Sequence, residues 1–521
     1  MKKLALLSVY KKDGIIDFAR EIQDKYGYEI LSTGGTAELL KKNNIKVTEV
    51  SEKTKFPEML EGRVKTLHPI VHGGLLARRD KSEHMDTIEK HGIEPIDIVV
   101  VNLYPFEEVI LKPNITLEEV IENIDIGGPS MLRSAAKNYS AVTVVCDPSD
   151  YSKVLDELKA NNGQTTHVLR ENLAIKVFQK ISSYDSTISS YLSSRTVVPK
   201  NGAENILSQN LDLKLKLKNP LRYGENPHQK AALYVSSSSA YGLANAELLQ
   251  GKELSFNNYL DLESAWNIAS EFDIKMPVAV VVKHNNPCGV AVAPDLYQAY
   301  VEAFNADTIS AFGGIVAFNN KVDGRVADEM LKIFLEAVIA PGYTTEAIEQ
   351  FKSKPNLRIL KINLGEVHNS GFDIKTIGGG FLLQSLNNTT VEQDKLKIVT
   401  ERKPTEQELI DLLFAWKVCK NVKSNAIVIA KDAKTIGIGA GQSNRVGSVE
   451  IALNQANYNS KGAVLASDAF FPFKDSIEIA ASAKISAIIQ PGGSIKDKEV
   501  IDACNKYGIA MIFTGIRHFR H

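Results

Sequence analysis

Short apolar segments alternate with amphipathic segments along the chain, and this alternation limits the fold more than any other feature. Near the start the order is "LALLSV" at 4–9, "GIIDFAREIQDKYG" at 14–27 and "YEILSTGGTAELLKKNN" at 28–44. Short continuous apolar runs are typical of strands that are buried on both faces, and the segments between them have helical periodicity. Parallel sheets covered by helices produce this order, so the sequence predicts an α/β fold.

The length and one break in the pattern predict two domains. A chain of 521 residues is too long for one ordinary domain. The periodicity stops near "RTVVPKNGAEN" at 195–205, where Pro, Gly and Asn cluster. We therefore predict a first domain over 1–198 and a second over 199–521. Within the second, a strand, glycine-rich turn, helix and strand order occurs twice, which predicts two similar lobes.

Composition excludes several classes of protein. The formal net charge of -1 gives no overall positive field for a nucleic acid. No apolar run reaches about 18 residues, so the sequence predicts no membrane-spanning helix. The four cysteines are far apart and form neither a disulfide framework nor a metal-binding spacing, which predicts reduced thiols in a cytoplasm. They are Cys146, Cys288, Cys419 and Cys504.

Two polar segments in the first half are candidates for anion binding. Thr33, Gly34, Gly35 and Thr36 lie between a strand and a helix, where free N–H groups favour an anion, although such a turn also simply caps a helix. The segment "EGRVKTLHP" adds Arg63, Lys65 and Thr66. These side chains could bind a ligand or could be ordinary surface charge.

The segment "IDIGGPSMLRSAAKN" at 124–138 carries a third candidate. Gly127 and Gly128 precede Pro129 in a pattern typical of a tight turn into a helix, and Asp125 lies just before them. Arg133 and Lys137 are four residues apart and share one helical face. The pattern fits a phosphorylated ligand, and it equally fits a solvated helix flank.

In the second half, Lys283 and His284 follow the apolar run "VAVVV", at a strand end where ligand crevices form in α/β sheets. They could also be a hydrogen-bonded core histidine and a lysine whose ammonium group reaches solvent. Arg222 and Tyr223 lie in "NPLRYGENPHQ", whose prolines and glycine predict an ordered loop. A zinc deaminase needs His-x-Glu and Pro-Cys-x-x-Cys. Here Asn285 and Asn286 follow His284 and no second Cys follows Cys288, so we predict no metal.

Many segments in order resemble one family. They are "STGGT", "FPEMLEGRVKTLHP", "NLYPF", "IDIGGPSMLRSAAKN", "RYGENPHQ", "KHNNPCG", "SAFGG", "IGIGAGQSNR", "SDAFFPFKD" and "GIRHFRH". The chain resembles, from about residue 8 to its end, the bifunctional purine-biosynthesis enzymes that combine AICAR formyltransferase with IMP cyclohydrolase. The resemblance implies a methylglyoxal-synthase-like first domain with cyclohydrolase activity and a transformylase domain of two cytidine-deaminase-like lobes.

The resemblance also implies ligands and partners. The ligands would be AICAR, formyl-AICAR, IMP and a reduced folate, with 10-formyltetrahydrofolate as co-substrate and no tightly bound cofactor. The enzyme would be a cytoplasmic homodimer, with formyl-transfer sites at the subunit interface and no nucleic-acid or membrane partner.

Site residues follow from the same motifs. For ring closure the resemblance implies proton handling by Lys65, Tyr104, Asp125 and Lys137, with Lys137 as the main acid/base. It implies nucleotide binding by Lys12, Thr33, Gly34, Gly35, Thr36, Arg63, Thr66, Asn102 and Ile126. The segment "SVYKKDG" departs from the family, with Tyr10, Lys11 and Asp13 where relatives often have Ser, Asp and Thr, which affects only the side chains of this loop.

For formyl transfer the resemblance implies that His284 accepts a proton from the AICAR amine, that Lys283 stabilises developing charge and that Asn425 orients the substrate. AICAR would be contacted by Arg222, Tyr223, Gly313, Glu336 and Arg517, although the family often has Asp at the position of Glu336. Gln442 and Arg445 lie in the glycine-rich turn, and Phe470 and Asp475 would contact the folate.

Two alternatives remain from the sequence. A nucleotide-sensing, phosphate-binding protein without catalysis would need the glycine turns, but it has no use for Lys283 and His284 at a strand end. Formate-dependent formylation would need ATP, and no G-x-x-x-x-G-K-[ST] phosphate loop is present.

Overall fold

The computed structural model describes residues 2–57, 59–60, 64–196, 211, 213, 215–236, 241–363 and 372–521. The chain divides into two compact units, Met1–Asp212 and Leu213–His521. The stretch where the sequence predicts a domain boundary lies outside the described residues from 197 onward, so the boundary at 198/199 stays a prediction. In the described ranges, no helix is long and apolar enough to cross a bilayer.

The first unit contains one five-stranded parallel sheet. Its strands are β1 (Lys3–Val9), β2 (Tyr28–Ser32), β3 (Val47–Glu49), β4 (Ile98–Asn102) and β5 (Thr143–Val145). Their spatial order is β3-β2-β1-β4-β5, so the chain winds outward from β1 and then returns to the other side of β1. Ligand crevices form where the strand order reverses in this way, beyond the carboxyl ends of the strands. Here that point lies between β1 and β4, where Val9 pairs with Asn102.

Helices cover both faces of this sheet. They are α1 (Ile15–Tyr26), α2 (Gly34–Lys42), α3 (Val50–Thr54), α4 (Pro69–Leu76), α5 (Ser82–Lys90), α6 (Phe106–Val109), α7 (Leu117–Glu122), α8 (Gly127–Lys137), α9 (Tyr151–Ala160) and α10 (His167–Thr196). Leu4 and Leu6 of β1 pack on one face with α8 and α10, and Ala5 and Leu7 pack on the other with α1 and α9. The prediction of a first strand buried on both faces is therefore confirmed.

Local sequence signals set several helix ends in this unit. Gly27 ends α1 with a φ of 70°, a left-handed conformation that glycine adopts without a steric cost. Thr116 and Glu119 form a capping box at the start of α7, in which each side chain accepts the other's backbone N–H.

The second unit is built around one twelve-stranded sheet and two separate hairpins. Its strands are β6 (Leu215–Leu221), β7 (Ala231–Ser236), β8 (Glu247–Gln250), β9 (Val278–Lys283), β10 (Asn286–Val292), β11 (Ile315–Phe318), β12 (Ala337–Ala340), β13 (Arg358–Lys361), β14 (Phe372–Ile377), β15 (Gly380–Ser385), β16 (Lys397–Ile398), β17 (Ile427–Lys431), β18 (Lys434–Gly439), β19 (Val464–Ser467), β20 (Ala487–Gln490) and β21 (Ala510–Phe513). The large sheet has the order β16-β21-β20-β19-β17-β18-β10-β9-β11-β12-β13-β8. β6 pairs with β7, and β14 with β15, as isolated hairpins.

The described part of the second unit contains eight α-helices, and their order confirms the predicted repeat. They are α11 (Phe256–Ala269), α12 (Leu296–Asn305), α13 (Gly324–Met330), α14 (Thr345–Phe351), α15 (Glu406–Cys419), α16 (Arg445–Ala456), α17 (Asp475–Ser482) and α18 (Asp497–Tyr507). The first lobe runs α11-β9-β10-α12-β11-α13-β12-α14-β13, and the second runs α15-β17-β18-α16-β19-α17-β20-α18-β21 in the same sequence of elements. The lobes meet where β10 pairs with β18.

One hydrophobic core is shared by the two lobes, and each lobe also has its own. The shared core joins α11 and α15 on one face of the sheet, with Leu262 and Leu412 fully buried in it. On the opposite face, α12 to α14 pack on the first lobe and α16 to α18 on the second. The sheet is therefore continuous and the two lobes form one folded body.

Equivalent carboxylates hold equivalent turns in the two lobes. His284 and Asn285 have φ values of 53° and 64°, and they form the two-residue turn between β9 and β10. Asp432 and Ala433, at 54° and 53°, form the turn between β17 and β18. Two positive φ values are typical of a type I′ hairpin turn. Asp261 is the sixth residue of α11 and accepts the Asn285 N–H at 2.6 Å.

In the second lobe, Asp411 is the sixth residue of α15. It accepts the backbone N–H of Asp432 at 3.1 Å and that of Ala433 at 2.8 Å. The repeat thus extends to a partly buried polar contact, in which a helix carboxylate holds the turn that carries His284.

Candidate active sites

A cavity of about 760 Å³ lies at the reversal point of the first sheet. Of the residues predicted for ring closure, its lining includes Lys12, Thr33, Gly34, Gly35, Thr36, Lys65, Thr66, Asn102, Tyr104, Asp125 and Ile126. These residues come from five separate segments of the chain. The fold brings them together because the carboxyl ends of β1 and β4 and the starts of α2 and α8 share one edge of the sheet.

Two helix N-termini lie at this cavity. Gly34 begins α2 and Gly127 begins α8. A Cβ atom at Gly34 would come within 2.6 Å of Lys65 Nζ, and one at Gly127 within 2.8 Å of Thr66 Oγ1. Because glycine has no side chain, the Lys65–Thr66 segment can lie directly against both helix starts. The positive ends of two helix dipoles and an ammonium group together favour an anion.

Lys12 and Thr36 connect the first strand to the start of α2. Lys12 Nζ donates to Thr36 Oγ1 at 2.7 Å and also to the Val9 carbonyl oxygen. Partial burial of its ammonium group lowers the pKa of Lys12. The Thr36 hydroxyl in turn donates to the Val9 carbonyl at 3.0 Å. These contacts place a cation beside the N-terminus of α2.

Asn102 holds the loop after β1 through the backbone N–H groups of that loop. Asn102 Oδ1 accepts the N–H groups of Tyr10 at 2.5 Å and of Lys11 at 3.0 Å. The Tyr10 ring packs edge-on against Tyr104, with 5.2 Å between ring centroids. Tyr10, one of the residues at which the sequence departs from the family, therefore lines the cavity beside a predicted catalytic residue.

Asp125 is one of two carboxylic acids that line this cavity. Its Oδ1 accepts the Gly128 N–H at 2.8 Å, and its own N–H donates to Tyr184 Oη at 2.8 Å. Burial raises the pKa of Asp125, and the bond from the Gly128 N–H partly opposes this rise. A carboxylate with a raised pKa is a stronger proton acceptor than an ordinary one.

Two predicted ring-closure residues are not placed at the cavity. Arg63 lies outside the described residues. Lys137 is exposed at the last residue of α8, whereas the cavity is at the first, ten residues or about 15 Å away along the helix. Arg133 is also exposed and lies over the Phe178 ring at 5.9 Å. Both side chains thus lie on a solvent-exposed face of α8, as in the second of the two interpretations of this segment given above.

The sequence pattern missed several residues that shape the cavity. Ser8 lines it, and its Oγ lies 2.9 Å from Thr33 Oγ1. Glu122 and Met131 also line it. Ser8 lies next to the carboxyl end of β1, and a polar residue at such a position could have been predicted to face a ligand crevice. Nothing local connects Tyr184, in the middle of α10, with Asp125.

In the second unit, Lys283 and His284 lie at the junction between β9 and its turn. Lys283 Nζ donates to the Phe312 carbonyl oxygen at 2.8 Å, which brings the lysine next to Gly313. His284 is exposed at the first central position of the turn. The prediction that both follow a buried strand is confirmed, since Val278 to Val282 are fully buried.

Asn425 is the centre of a hydrogen-bonded network in the second lobe. Its Nδ2 donates to the Gln442 carbonyl at 2.9 Å, and its Oδ1 accepts from Arg445 Nη2 at 2.6 Å. Arg445 Nη1 donates to Asp468 Oδ1 at 2.5 Å, and both of these side chains are buried. Asp468, which the sequence reasoning missed, thus neutralises Arg445. Both oxygen and nitrogen of the Asn425 amide are held in a single orientation.

The two lobes join beside these residues. Asn286 Oδ1, one residue beyond the His284 turn, accepts the Lys423 N–H at 3.1 Å. The Lys423 carbonyl accepts the Gly441 N–H at 2.8 Å. The fold therefore brings together Lys283, His284, Gly313, Asn425, Gln442 and Arg445.

The remaining predicted residues of the second unit lie around this cluster on separate elements. Arg222 and Tyr223 lie in the connection between β6 and β7, and the Arg222 guanidinium stacks on the Tyr223 ring at 4.6 Å. The first residues of the segment predicted as a loop belong to β6. Glu336 accepts from Asn258 Nδ2 at 2.8 Å. The structure records no direct contact between these three residues and His284.

The predicted folate segment is divided between core and surface. Phe471 is fully buried, whereas Phe470 and Phe473 are exposed, and Asp475 begins α17. Arg517 is exposed and stacks over Phe519 at 4.5 Å. The four cysteines are buried and unpaired, and no set of three or more His, Cys, Asp or Glu within the described parts of the chain is arranged to hold a metal.

These features define the class of the protein: a two-unit α/β protein with a cavity at two helix N-termini in one unit and a Lys–His–Asn cluster in the other. A family model described as "AICARFT/IMPCHase bienzyme" matches residues 135–455, and one described as "MGS-like domain" matches residues 14–130. The chain belongs to the AICARFT/IMPCHase bienzyme family, and its N-terminal part is MGS-like.

Full-length relatives agree with this assignment. The bifunctional purine biosynthesis protein PurH of Thermoanaerobacter sp. is 54% identical over 521 residues, that of Caldicellulosiruptor saccharolyticus 52% over 524, and that of Listeria monocytogenes 53% over 521. Each comparison covers 100% of both chains. A solved structure titled "Crystal structure of ForH" is 34% identical, covers 36% of this chain and 98% of its own, and has a TM-score of 0.33.

Proposed function

We infer that this chain catalyses the last two steps of purine biosynthesis, formyl transfer to AICAR and ring closure to IMP, at two separate sites. Family membership over the full length carries the identity of the two reactions. We assign ring closure to a domain over 1–198 and formyl transfer to a domain over 199–521. Two chemically different clusters, one in each compact unit, support this division.

Ring closure removes two protons and expels one water. The carboxamide nitrogen of formyl-AICAR attacks the formyl carbon and loses one proton, the formamide nitrogen loses a second as the ring C=N bond forms, and the former formyl oxygen takes both protons and leaves as water. Asp125 is suited to accept the first proton because burial raises its pKa. Lys65, beside the start of α2, is suited to stabilise the oxyanion and to protonate it as it leaves. Tyr104 would cover the purine base of the bound nucleotide.

The phosphate of the nucleotide would bind at the start of α2. Thr33 to Thr36 supply the helix N-terminus, and Lys12 supplies a cation that already contacts Thr36. Asn102 would act mainly through the loop N–H groups that it holds. Thr66 and Ile126 would line the ribose and base, and Arg63 would contribute a second cation.

Formyl transfer moves the formyl group from N10 of 10-formyltetrahydrofolate to the 5-amine of AICAR. The amine attacks the formyl carbon and loses a proton, and the folate nitrogen leaves with a proton. We assign the first proton to His284, because its imidazole is exposed on a rigid turn. Lys283 would stabilise the oxyanion or protonate the departing nitrogen. Asn425 would orient the carboxamide.

The surrounding residues divide into those that touch ligands and those that hold others. Arg222, Tyr223, Gly313, Glu336 and Arg517 would contact AICAR, and Gln442, Phe470 and Asp475 would contact the folate. Arg445 is paired with a buried carboxylate, and this supports a role in holding Asn425 rather than in binding substrate.

We also propose a cytoplasmic homodimer. The two isolated hairpins expose large apolar side chains: Leu215, Leu217 and Tyr234 on one, and Ile377, Phe381 and Leu382 on the other. Apolar strands that pair only as hairpins are surfaces that proteins usually cover. A second copy of the chain is the occupant we propose.

One experiment tests the activity and the site assignment together. The protein is mixed with AICAR and 10-formyltetrahydrofolate, and IMP is measured; formyl-AICAR is then supplied alone. His284→Ala should abolish formyl transfer and leave ring closure intact. Asp432→Ala is the matched control, since it makes the same change at the equivalent position of the equivalent turn, with φ of 54° against 53°. Equal losses in both variants would mean that turn geometry, and not the imidazole, matters.

A further inference from the structure

The last residues of the chain pass between the two lobes, and Arg520 contacts both. Its Nη2 donates to Ser264 Oγ on α11 at 3.1 Å, and its Nη1 donates to the Asn421 carbonyl, just after α15. The side chain is largely buried, and burial lowers the pKa of Arg520, an effect that nearby Glu263 opposes. A planar guanidinium can bind two such acceptors at once in a fixed geometry.

From Ser264 the contacts lead to the turn that carries His284. Ser264 Oγ lies 3.4 Å from the side-chain amide of Asn285, the second residue of that turn. Three residues earlier on α11, Asp261 accepts the backbone N–H of Asn285. One helix therefore holds the turn at two points, and Arg520 contacts that helix.

From the Arg520 backbone the contacts lead to Asn425. Its carbonyl accepts the Ser424 N–H at 2.9 Å, and its N–H donates to Ser424 Oγ at 3.0 Å. Ser424 Oγ then donates to Asp468 Oδ2 at 2.5 Å, and Asp468 is the carboxylate that pairs with Arg445. The residue that contacts α11 in one lobe is thus directly bonded to the neighbour of Asn425 in the other.

We propose that Arg520 is a positioning residue for formyl transfer, which sets the distance between the His284 turn of the first lobe and the Asn425 segment of the second. The proposal rests on the proposed function, which places formyl transfer at these two segments. Arg520 itself touches no reacting atom. Its guanidinium is suited to the role because its two acceptors belong to different lobes. Removing it frees the two lobes to move apart near His284 and Asn425, the proton acceptor and the orienting amide that must face one substrate.

The test is Arg520→Met in the full-length protein, with Arg402→Met as matched control. Arg402 also donates to two groups, the Ser486 carbonyl at 3.1 Å and Glu408 at 2.6 Å, but both of these groups belong to the second lobe. We expect kcat for formyl transfer to fall about 100-fold in Arg520→Met, with KM for AICAR changed less than about threefold. Ring closure of supplied formyl-AICAR should be unchanged. Arg520→Lys keeps the positive charge but not the two-pronged guanidinium, so its kcat for formyl transfer should lie between those of wild type and Arg520→Met.

A second measurement does not depend on activity. Backbone hydrogen exchange should accelerate in residues 281–286 and 423–428 of Arg520→Met and not of Arg402→Met. If His284→Ala keeps formyl transfer, the site assignment is wrong, while the exchange result still decides whether Arg520 holds the two segments. An unchanged kcat in Arg520→Met, unchanged exchange, or an equal kcat loss in Arg402→Met would overturn the proposal.

Discussion

Replacing Gly128 by Ala should slow ring closure about 100-fold while leaving the fold intact. A Cβ atom at this position would overlap with Asp125 Oδ2, lie 2.9 Å from Asp125 Cγ and lie 3.0 Å from Leu103 Cδ2. Leu103 is in the buried core, so the carboxyl group is the part that must move. To reach ordinary van der Waals separation it must withdraw by roughly 1 Å.

The size of the effect follows from that displacement. The shift breaks the 2.8 Å bond from the Gly128 N–H to Asp125 Oδ1. A misplacement of about 1 Å at a reacting group typically reduces the rate about 100-fold, so we expect that loss in kcat for ring closure. Stability should change little, because the higher helix propensity of Ala offsets part of the local crowding.

The assay follows IMP formation from supplied formyl-AICAR, with formyl transfer from the folate measured in parallel. Ser130→Ala, on the same first turn of α8, is the control, since it removes only a hydroxyl that bonds to the Ile126 carbonyl at 2.8 Å. Wild-type ring closure in a folded Gly128→Ala protein would refute the idea that the position of the Asp125 carboxylate limits the reaction.

Three further predictions follow. Burial raises the pKa of Asp125, so the ionised carboxylate destabilises the folded protein at a pH above that pKa. Below the ordinary carboxyl pKa the group is protonated in both the folded and the unfolded state and has no such effect. Asp125→Asn should therefore raise Tm at neutral pH and not below about pH 3. A Tm gain that persists in acid would contradict this. The protein should carry no stoichiometric zinc and keep both activities in chelator, because the Glu and second Cys of a zinc site are missing beside His284; one zinc per chain by elemental analysis, with activity lost on its removal, would contradict it. A fragment of residues 1–198 should close formyl-AICAR without folate, and Lys65→Met should abolish that reaction; comparing it with Lys137→Ala decides whether Lys137 is the main acid/base. A folded but inactive fragment would mean that residues beyond 198 complete the site.

Local patterns predicted the parts of the site that depend on neighbours in sequence. The run before Lys283 predicted a buried strand, and the turn that follows it places His284 where the pattern indicated. The glycines at 34–35 and 127–128 predicted two helix starts, and both line the cavity. These succeed because strand burial, turn chemistry and helix capping are determined within a few residues.

The sequence by itself determined the α/β class, the repeat in the second unit and most of the lining of the first cavity. Only the tertiary structure decided which distant groups meet: Tyr184 lies 59 residues from the Asp125 N–H that it accepts, and Asn286 lies 137 residues from Lys423. It also placed Lys137 at the far end of α8, because helix length, and not residue type, sets its distance from the cavity. Hydrophobic patterning specifies which faces are buried, but the pairing of polar groups between segments follows from how whole helices and strands pack, and no local spacing records that.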